Sequence, residues 1–121
     1  MGSIIIDVRI RCGNEVAVKG LVDTGFHGDV LVGKEIAERL NVKPKYKRIR
    51  VLPNGEKVEV NYGGGQITLM DAVTHGDIEV WEDLKLPPGV DALIGVTALE
   101  KLGFKADLET GKLEKIELYL L

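Results

Sequence analysis

Cysteine occurs once in the 121 residues, at Cys12, so the chain can close no disulfide on itself and offers a metal no second sulfur. Histidine is almost as scarce: His27 and His75 are the only two, and with one cysteine they form no ligand set of recognisable zinc spacing. Long apolar runs are missing too. The nearest, Ile4-Ile5-Ile6, is broken by Asp7, Arg9 and Arg11 before a signal-peptide core forms, and nothing approaches the roughly 18 residues that span a bilayer. These absences predict a soluble, cytoplasmic protein with no membrane partner and neither metal nor organic cofactor.

Charge of one sign is lacking as well. Sixteen basic and 19 acidic residues leave a net charge of −3, which sets up no global field to attract nucleic acid. Aromatic residues make up 5% of the chain and are not interleaved with basic ones, so no stacking platform for bases is expected, and Trp81 reads as strand packing. The one basic cluster, Lys43 to Arg50, is interrupted by Pro44, Tyr46 and Ile49 and reads as a solvated loop running into a strand.

What is present is period-two alternation. With 45% hydrophobic and 29% charged residues in the length of one domain, residues 1–121 are read as a single globular unit. Ile4, Ile6, Val8 and Ile10 alternate with Ile5, Asp7, Arg9 and Arg11, Gly13-Asn14 supplies a turn, and Val16, Val18 and Val22 resume the pattern up to Asp23. Asp29 to Val32 is a short strand. Ile36, Ala37 and Leu40 then sit at helical spacing, with Asn41 as the stop. Asn54-Gly55 predicts a two-residue type I′ turn joining strands 47–52 and 56–62, with Val51 facing Val58 and Ile49 facing Val60. Gly63-Gly64-Gly65 predicts a bend or bulge before strands 66–71 and 77–84. Thr97 to Glu100 matches a capping box for a second short helix ended by Gly103, and strands 104–108 and 112–121 close the chain.

Two motifs compete for the chemistry. Gly28 to Lys34 matches a phosphate-binding loop, but Glu35 stands where a hydroxyl should hold magnesium, and Val30 to Val32 reads as strand rather than an open cradle of donors. The other is Asp23-Thr24-Gly25, placed directly after a strand, followed about 30 residues later by the Asn-Gly hairpin and then by Ala92-Leu93-Ile94-Gly95 ahead of a short helix. His27, four residues after Asp23, reads either as a surface loop residue or as a group able to contact a substrate.

This order of elements, across residues 15 to 108, resembles the retropepsin-like aspartic proteases, and most of all their bacterial and archaeal single-domain members, in which Phe follows the triplet and a second Gly stands where Gly28 does here. The resemblance implies a mostly β, single-domain acid-protease barrel with two short helices and a flap hairpin. It implies that Asp23 is the catalytic carboxylate, that Thr24 holds the loop against its symmetry mate, and that Gly25 permits close approach at the dyad. Leu93, Ile94 and Gly95 become the supporting motif, and Phe26, His27, Leu52, Pro53, Asn54, Gly55 and Ile94 the substrate-binding residues, with Val30 a further pocket wall. Three positions depart from the usual pattern: Phe26 replaces a small residue, Val96 replaces the Arg after Ile-Gly, and the flap tip Pro53-Asn54-Gly55 is not glycine-rich.

Peptide hydrolysis by this route needs two carboxylates sharing one proton. The chain has one such triplet, so a homodimer acting on a peptide or protein substrate is expected, with Asp91 the main intrachain competitor for the second carboxylate. Ile4, Ile6, Leu118 and Leu120 are expected to join the two copies through terminal strands. The rival reading is a non-catalytic dimeric module that binds peptides or supports assembly on the same fold.

Overall fold

The computed structural model describes residues 3–117 and Leu120. Its strands are β1 (Ile5–Arg11), β2 (Glu15–Asp23), β3 (Val30–Val32), β4 (Tyr46–Val51), β5 (Lys57–Leu69), β6 (Ala72–Val80), β7 (Ala92–Gly95), β8 (Phe104–Asp107) and β9 (Lys112–Lys115). Helix α1 (Lys34–Leu40) follows β3, and α2 (Val96–Leu102) follows β7.

Alternation builds the first hairpin. Val8, Ile10, Val16, Val18 and Val22 are buried between more exposed neighbours, and β1 pairs antiparallel with β2 from Ile5↔Leu21 to Arg11↔Glu15. The turn at Asn14 also finishes a helix. Its backbone N–H donates to the Leu40 carbonyl at 2.9 Å and its Nδ2 to the Arg39 carbonyl at 3.0 Å, which satisfies acceptors that the last turn of α1 leaves without helical partners.

Six strands close a ring in the order β1–β2–β7–β3–β6–β5, with β5 returning to β1 through Arg9↔Thr68 to Arg11↔Gln66. The pairs β2/β7 and β3/β6 are parallel. Among the described residues strand β4 pairs only with the first half of β5, so the two project from the ring as a hairpin. The main core fills the ring and reaches both helices through Ile10, Ile67, Ile78, Ile94, Leu40 and Leu99. A second cluster of Phe26, Leu31 and Val60, flanked by Val58, Trp81, Leu84 and Leu93, joins the hairpin to the loop after β2. Strand β5 serves both clusters. Val58 and Val60 enter the second, and Ile67 and Leu69 enter the first from the opposite face. This is the mostly β barrel with two short helices and a projecting hairpin that the sequence predicts.

Local details differ from expectation. The hairpin register is Val51↔Lys57, Arg50↔Val58, Ile49↔Glu59 and Arg48↔Val60, so apolar does not face apolar. The cause is Pro53. In a two-residue Asn54-Gly55 loop, the residue before Asn54 must donate a backbone N–H, and proline has none. The chain instead places Pro53 and Asn54 at the corners, with the Gly55 N–H bonded to the Leu52 carbonyl at 2.8 Å and Gly55 at φ +88°. Gly63 to Gly65 form no bulge: the β5/β6 ladder runs unbroken from Asn61↔Val80 to Leu69↔Ala72, so β6 begins well before Asp77. Two of these glycines allow close approach, since a Cβ on Gly63 would stand 2.5 Å from the Lys43 carbonyl and one on Gly65 2.7 Å from Ile78 Cγ1.

Helices α1 and α2 stop at Asn41 (φ 54°) and Gly103 (φ 87°), as the sequence predicts. Thr97 does not cap α2. Gly95 is its N-cap, and the Val96 N–H bonds to the Phe26 carbonyl at 3.0 Å, so a neighbouring loop supplies what a capping box would. The closing strand is short, ending at Lys115. Of the residues expected at a terminal interface, Ile4 is 4% exposed and belongs to its own chain's core, which corrects that assignment. Ile6 is half-buried and Leu120 exposed, and Leu118 lies outside the described residues. Among the described residues no helix is long and apolar enough to cross a membrane.

Candidate active site

Strand β2 delivers Asp23 to the edge of the ring beside Gly95 of β7. There the chain turns sharply: the Gly25 N–H donates to Asp23 Oδ1 at 2.9 Å and the Phe26 N–H to the Asp23 carbonyl at 3.1 Å, so the carboxylate orders the turn that follows it. The loop then crosses directly over Gly95. The Gly95 N–H bonds to the Asp29 carbonyl at 2.9 Å, and a Cβ on Gly95 would lie 2.1 Å from the Gly28 carbonyl oxygen. Leu93-Ile94-Gly95 thus underpins the Asp23 loop, and only glycine fits at the crossing.

Between this loop and the hairpin lies a cleft of about 610 Å³. Asp23, Gly25 and His27 line one side; Ile49, Val51, Leu52 and Pro53 line the other; Phe26, Leu31, Val60, Trp81, Leu84 and Leu93 form apolar walls. Asp23 is the only carboxylate among the lining residues, in surroundings that exclude competing acids. Thr24 and Gly25 are exposed in the single chain. Asn54 and Gly55 stand at the hairpin tip and do not line the cleft, whereas Leu52 and Pro53 do. Ile94 and Val30 are 0% exposed within the main core, so neither is a pocket wall; the Ile94 side chain occupies the space over Gly20. Asp91 is engaged elsewhere. Its carboxylate accepts from the Lys19 N–H at 2.9 Å and its own N–H donates to the Lys19 carbonyl at 2.8 Å, four residues down the strand pair from Asp23, or roughly 13 Å at ~3.3 Å per residue.

The sequence predicts a solvated segment for Arg48 and Arg50. Instead both point inward from β4 to Glu79 of β6, which is 0% exposed. Arg50 grips that carboxylate with two bonds, Nε to Oε1 at 2.8 Å and Nη2 to Oε2 at 2.6 Å, while Arg48 Nη1 reaches Oε2 at 3.2 Å. Arg48 also donates to Asp77 Oδ2 at 3.0 Å and lies over the Tyr62 ring. Burial opposes its charge, but Asp77 and Glu79 outweigh that and raise its pKa above the ordinary guanidinium value. Arg50 further lies over the Phe26 ring at 5.0 Å and donates to the His27 carbonyl at 3.4 Å. The buried carboxylate therefore clamps the hairpin to the loop that carries Asp23. The available signal was a glutamate between Ile78 and Val80 in an otherwise apolar strand.

A second ion pair braces the same loop from below: Asp29, 4% exposed, accepts from Lys101 Nζ of α2 at 3.0 Å and from the Asp77 N–H at 2.8 Å. The phosphate-loop reading of Gly28 to Lys34 has no open cradle, because Val30 to Val32 is a fully buried strand. Among the described residues no group of three His, Cys, Asp or Glu side chains is placed to hold a metal ion.

No protein-family model and no curated protein matches the sequence. Solved structures do. A retropepsin-like aspartic protease from Rickettsia conorii superposes with a TM-score of 0.59 at 27% identity, covering 88% of this chain and 85% of that one. The retroviral protease-like domain of Ddi1 from Leishmania major superposes with a TM-score of 0.57 at 20% identity, covering 95% and 88%; at that identity the likeness speaks for the fold alone.

Proposed function

We propose that this chain, which has the retropepsin-like aspartic protease fold, is one half of an aspartic endopeptidase whose active site forms when two copies bring their Asp23 side chains together. The observation that carries the reading is the solitary carboxylate: Asp23, ordered by the Gly25 N–H, in an apolar cleft that no other acid lines. Hydrolysis by this route needs a second carboxylate, Asp91 is tied to Lys19, and a two-fold axis beside the exposed Gly25 supplies an identical partner with no further sequence requirement.

In such a pair one proton is shared. The ionised carboxylate takes a proton from water as the water oxygen bonds to the scissile carbonyl carbon. The protonated carboxylate gives its hydrogen to the carbonyl oxygen, and a tetrahedral gem-diol forms. As that species collapses, the C–N bond breaks, the nitrogen receives the proton taken from water, and a gem-diol hydroxyl returns its proton to the other carboxylate, giving a carboxylic acid end and an amine end and restoring the singly protonated pair. Substrate lies extended beneath the hairpin, with apolar side chains against Leu52, Trp81 and Leu93.

The test is hydrolysis of an unfolded protein at several pH values between about 3 and 7, the range in which carboxylate pairs share a proton. Asp23→Asn is expected to lose about a thousandfold or more. Mixing wild type and Asp23→Asn in equal amounts under subunit exchange leaves about a quarter of the dimers with both carboxylates, so activity should fall to about a quarter rather than a half of that of the same total protein as wild type. Cleavage that survives Asp23→Asn, or activity that falls only to a half, sinks the proposal. A dimer that binds peptides without cutting them would instead be the non-catalytic module.

A further inference from the structure

A second concavity, of about 660 Å³, shares no lining residue with the Asp23 cleft. It lies where β4 and β1, both paired to the same edge of β5, leave a gap: the β4/β5 ladder stops at Tyr46↔Tyr62 and the β1/β5 ladder at Arg11↔Gln66. Gly64 and Gly65 form its floor, and a Cβ on Gly64 would meet nothing within 4 Å, so the backbone there is open to a ligand. Arg11, Lys43, Lys45 and His75 line it, and no lining residue is acidic.

Arg11, Lys43 and Lys45 are uncommitted. Lys47, Arg48 and Lys101, close by in sequence or space, are paired with Glu59, with Asp77 and Glu79, and with Asp29. Arg11, Lys43 and Lys45 enter no ion pair among the described residues. A chain of net charge −3 thus gathers three unpaired positive charges around one groove. Like charges held together without counterions are unfavourable unless something anionic joins them.

We propose that this groove docks an extended acidic peptide segment. Pro44 keeps Lys43 out of helical conformation, and the Lys45 N–H continues the ladder onto the Tyr62 carbonyl at 2.9 Å, so Lys43 and Lys45 face the groove two residues apart on an extended backbone. That spacing is about 6.6 Å, the repeat at which an extended peptide presents every second side chain. Carboxylates at alternate positions match Lys43 and Lys45, with Arg11 opposite. A single-stranded nucleic acid fits less well, because no Phe, Tyr or Trp lines the groove and the His75 imidazole is the one ring there on which a base could stack.

The experiment is fluorescence anisotropy on the full chain with a labelled octapeptide of alternating Glu and Gly, its Gln-Gly counterpart, and an octamer of thymidylate. The acidic peptide is expected to bind saturably, at least about tenfold tighter than the neutral one, and to weaken as salt rises. Lys43→Glu with Lys45→Glu should remove at least about tenfold, in keeping with repulsion replacing attraction at two positions. Arg11→Gln provides a milder second variant, expected to weaken binding about threefold, and Lys85→Glu, outside the groove, should leave it within about twofold. Equal binding of acidic and neutral peptides, retention of affinity in both groove variants, or tighter binding of the oligonucleotide would each overturn the assignment. None of these readouts requires hydrolysis, so the result stands apart from that of Asp23→Asn.

Discussion

Replacing Glu79 with Gln removes a fully buried negative charge and leaves two guanidinium groups facing each other. Stripping one partner from a completely buried pair costs about 3–5 kcal/mol. The Arg50 and Arg48 side chains are 26% and 31% exposed, so water recovers part of that penalty, and about 2–4 kcal/mol is expected. Unfolding entropy of about 2.1 cal/mol/K per residue gives about 0.25 kcal/mol/K for a chain of this length, so Tm should fall by about 8–16 °C at fixed protein concentration. Urea denaturation should show the same loss as a lower midpoint at unchanged slope. Backbone amides of the β4–β5 hairpin should exchange faster, because Arg50 no longer ties it to Phe26 and His27. The decisive arm is the triple variant Glu79→Leu, Arg48→Met, Arg50→Met. With no buried charge left uncompensated, since Asp77, which loses Arg48, is 42% exposed to water, it should be more stable than Glu79→Gln by at least about 1 kcal/mol. If Glu79→Gln lies within about 0.5 kcal/mol of wild type, or the triple variant is the less stable of the two, the account of the clamp is wrong.

Gly95→Ala should destabilise by about 3 kcal/mol or more, since its methyl would meet the Gly28 and Phe26 carbonyl oxygens at 2.1 and 2.7 Å, and backbone cannot yield as a side chain does. Gly64→Ala, with open space around its Cβ, should stay within about 1 kcal/mol of wild type, and equal melting shifts for the two would refute this reading. Asp107 accepts from the Thr110 and Glu109 N–H groups, which lower its pKa from the ordinary 3.8. A depressed folded-state pKa stabilises above the unfolded value and is lost as pH falls through the folded one. A carboxyl NMR titration should therefore place the Asp107 midpoint below 3.8, and the β8–β9 turn should loosen only in strong acid; a midpoint at or above 3.8 contradicts this.

Much of the barrel was legible because its strands bury one face against one core. Val16, Val18 and Val22 lead visibly to Asp23, and Asn41 and Gly103 stop helices where the backbone must turn left-handed. What periodicity cannot see is compensation across distance. Arg48 and Arg50 alternate with Ile49 and Val51, and the usual rule sends the apolar pair inward; here Glu79, 29 and 31 residues away, draws the arginines in, leaving Ile49 57% and Val51 64% exposed. The hairpin register departs from the Asn-Gly expectation for a local reason, the missing N–H of Pro53, which outweighs that signal. Thr97 does not form the expected capping box because the Gly95 and Val96 N–H groups at the start of α2 meet the Asp29 and Phe26 carbonyls, contacts made only once the Asp23 loop lies over Gly95. In the cleft, Leu52, Pro53, Phe26 and His27 were within reach of the sequence, while Trp81 and Leu84 look like ordinary packing until the hairpin is folded above them.

Strand β5 buries Val60 on one side and Ile67 on the other. Adding or removing a single residue between these two would turn one of them out to water, whereas a change of two would keep both in place. The reach of the hairpin over Asp23 can therefore be lengthened or shortened only in steps of two residues, about 6.6 Å each. A designer retuning the cleft for longer or shorter peptides has a discrete set of lengths to choose from.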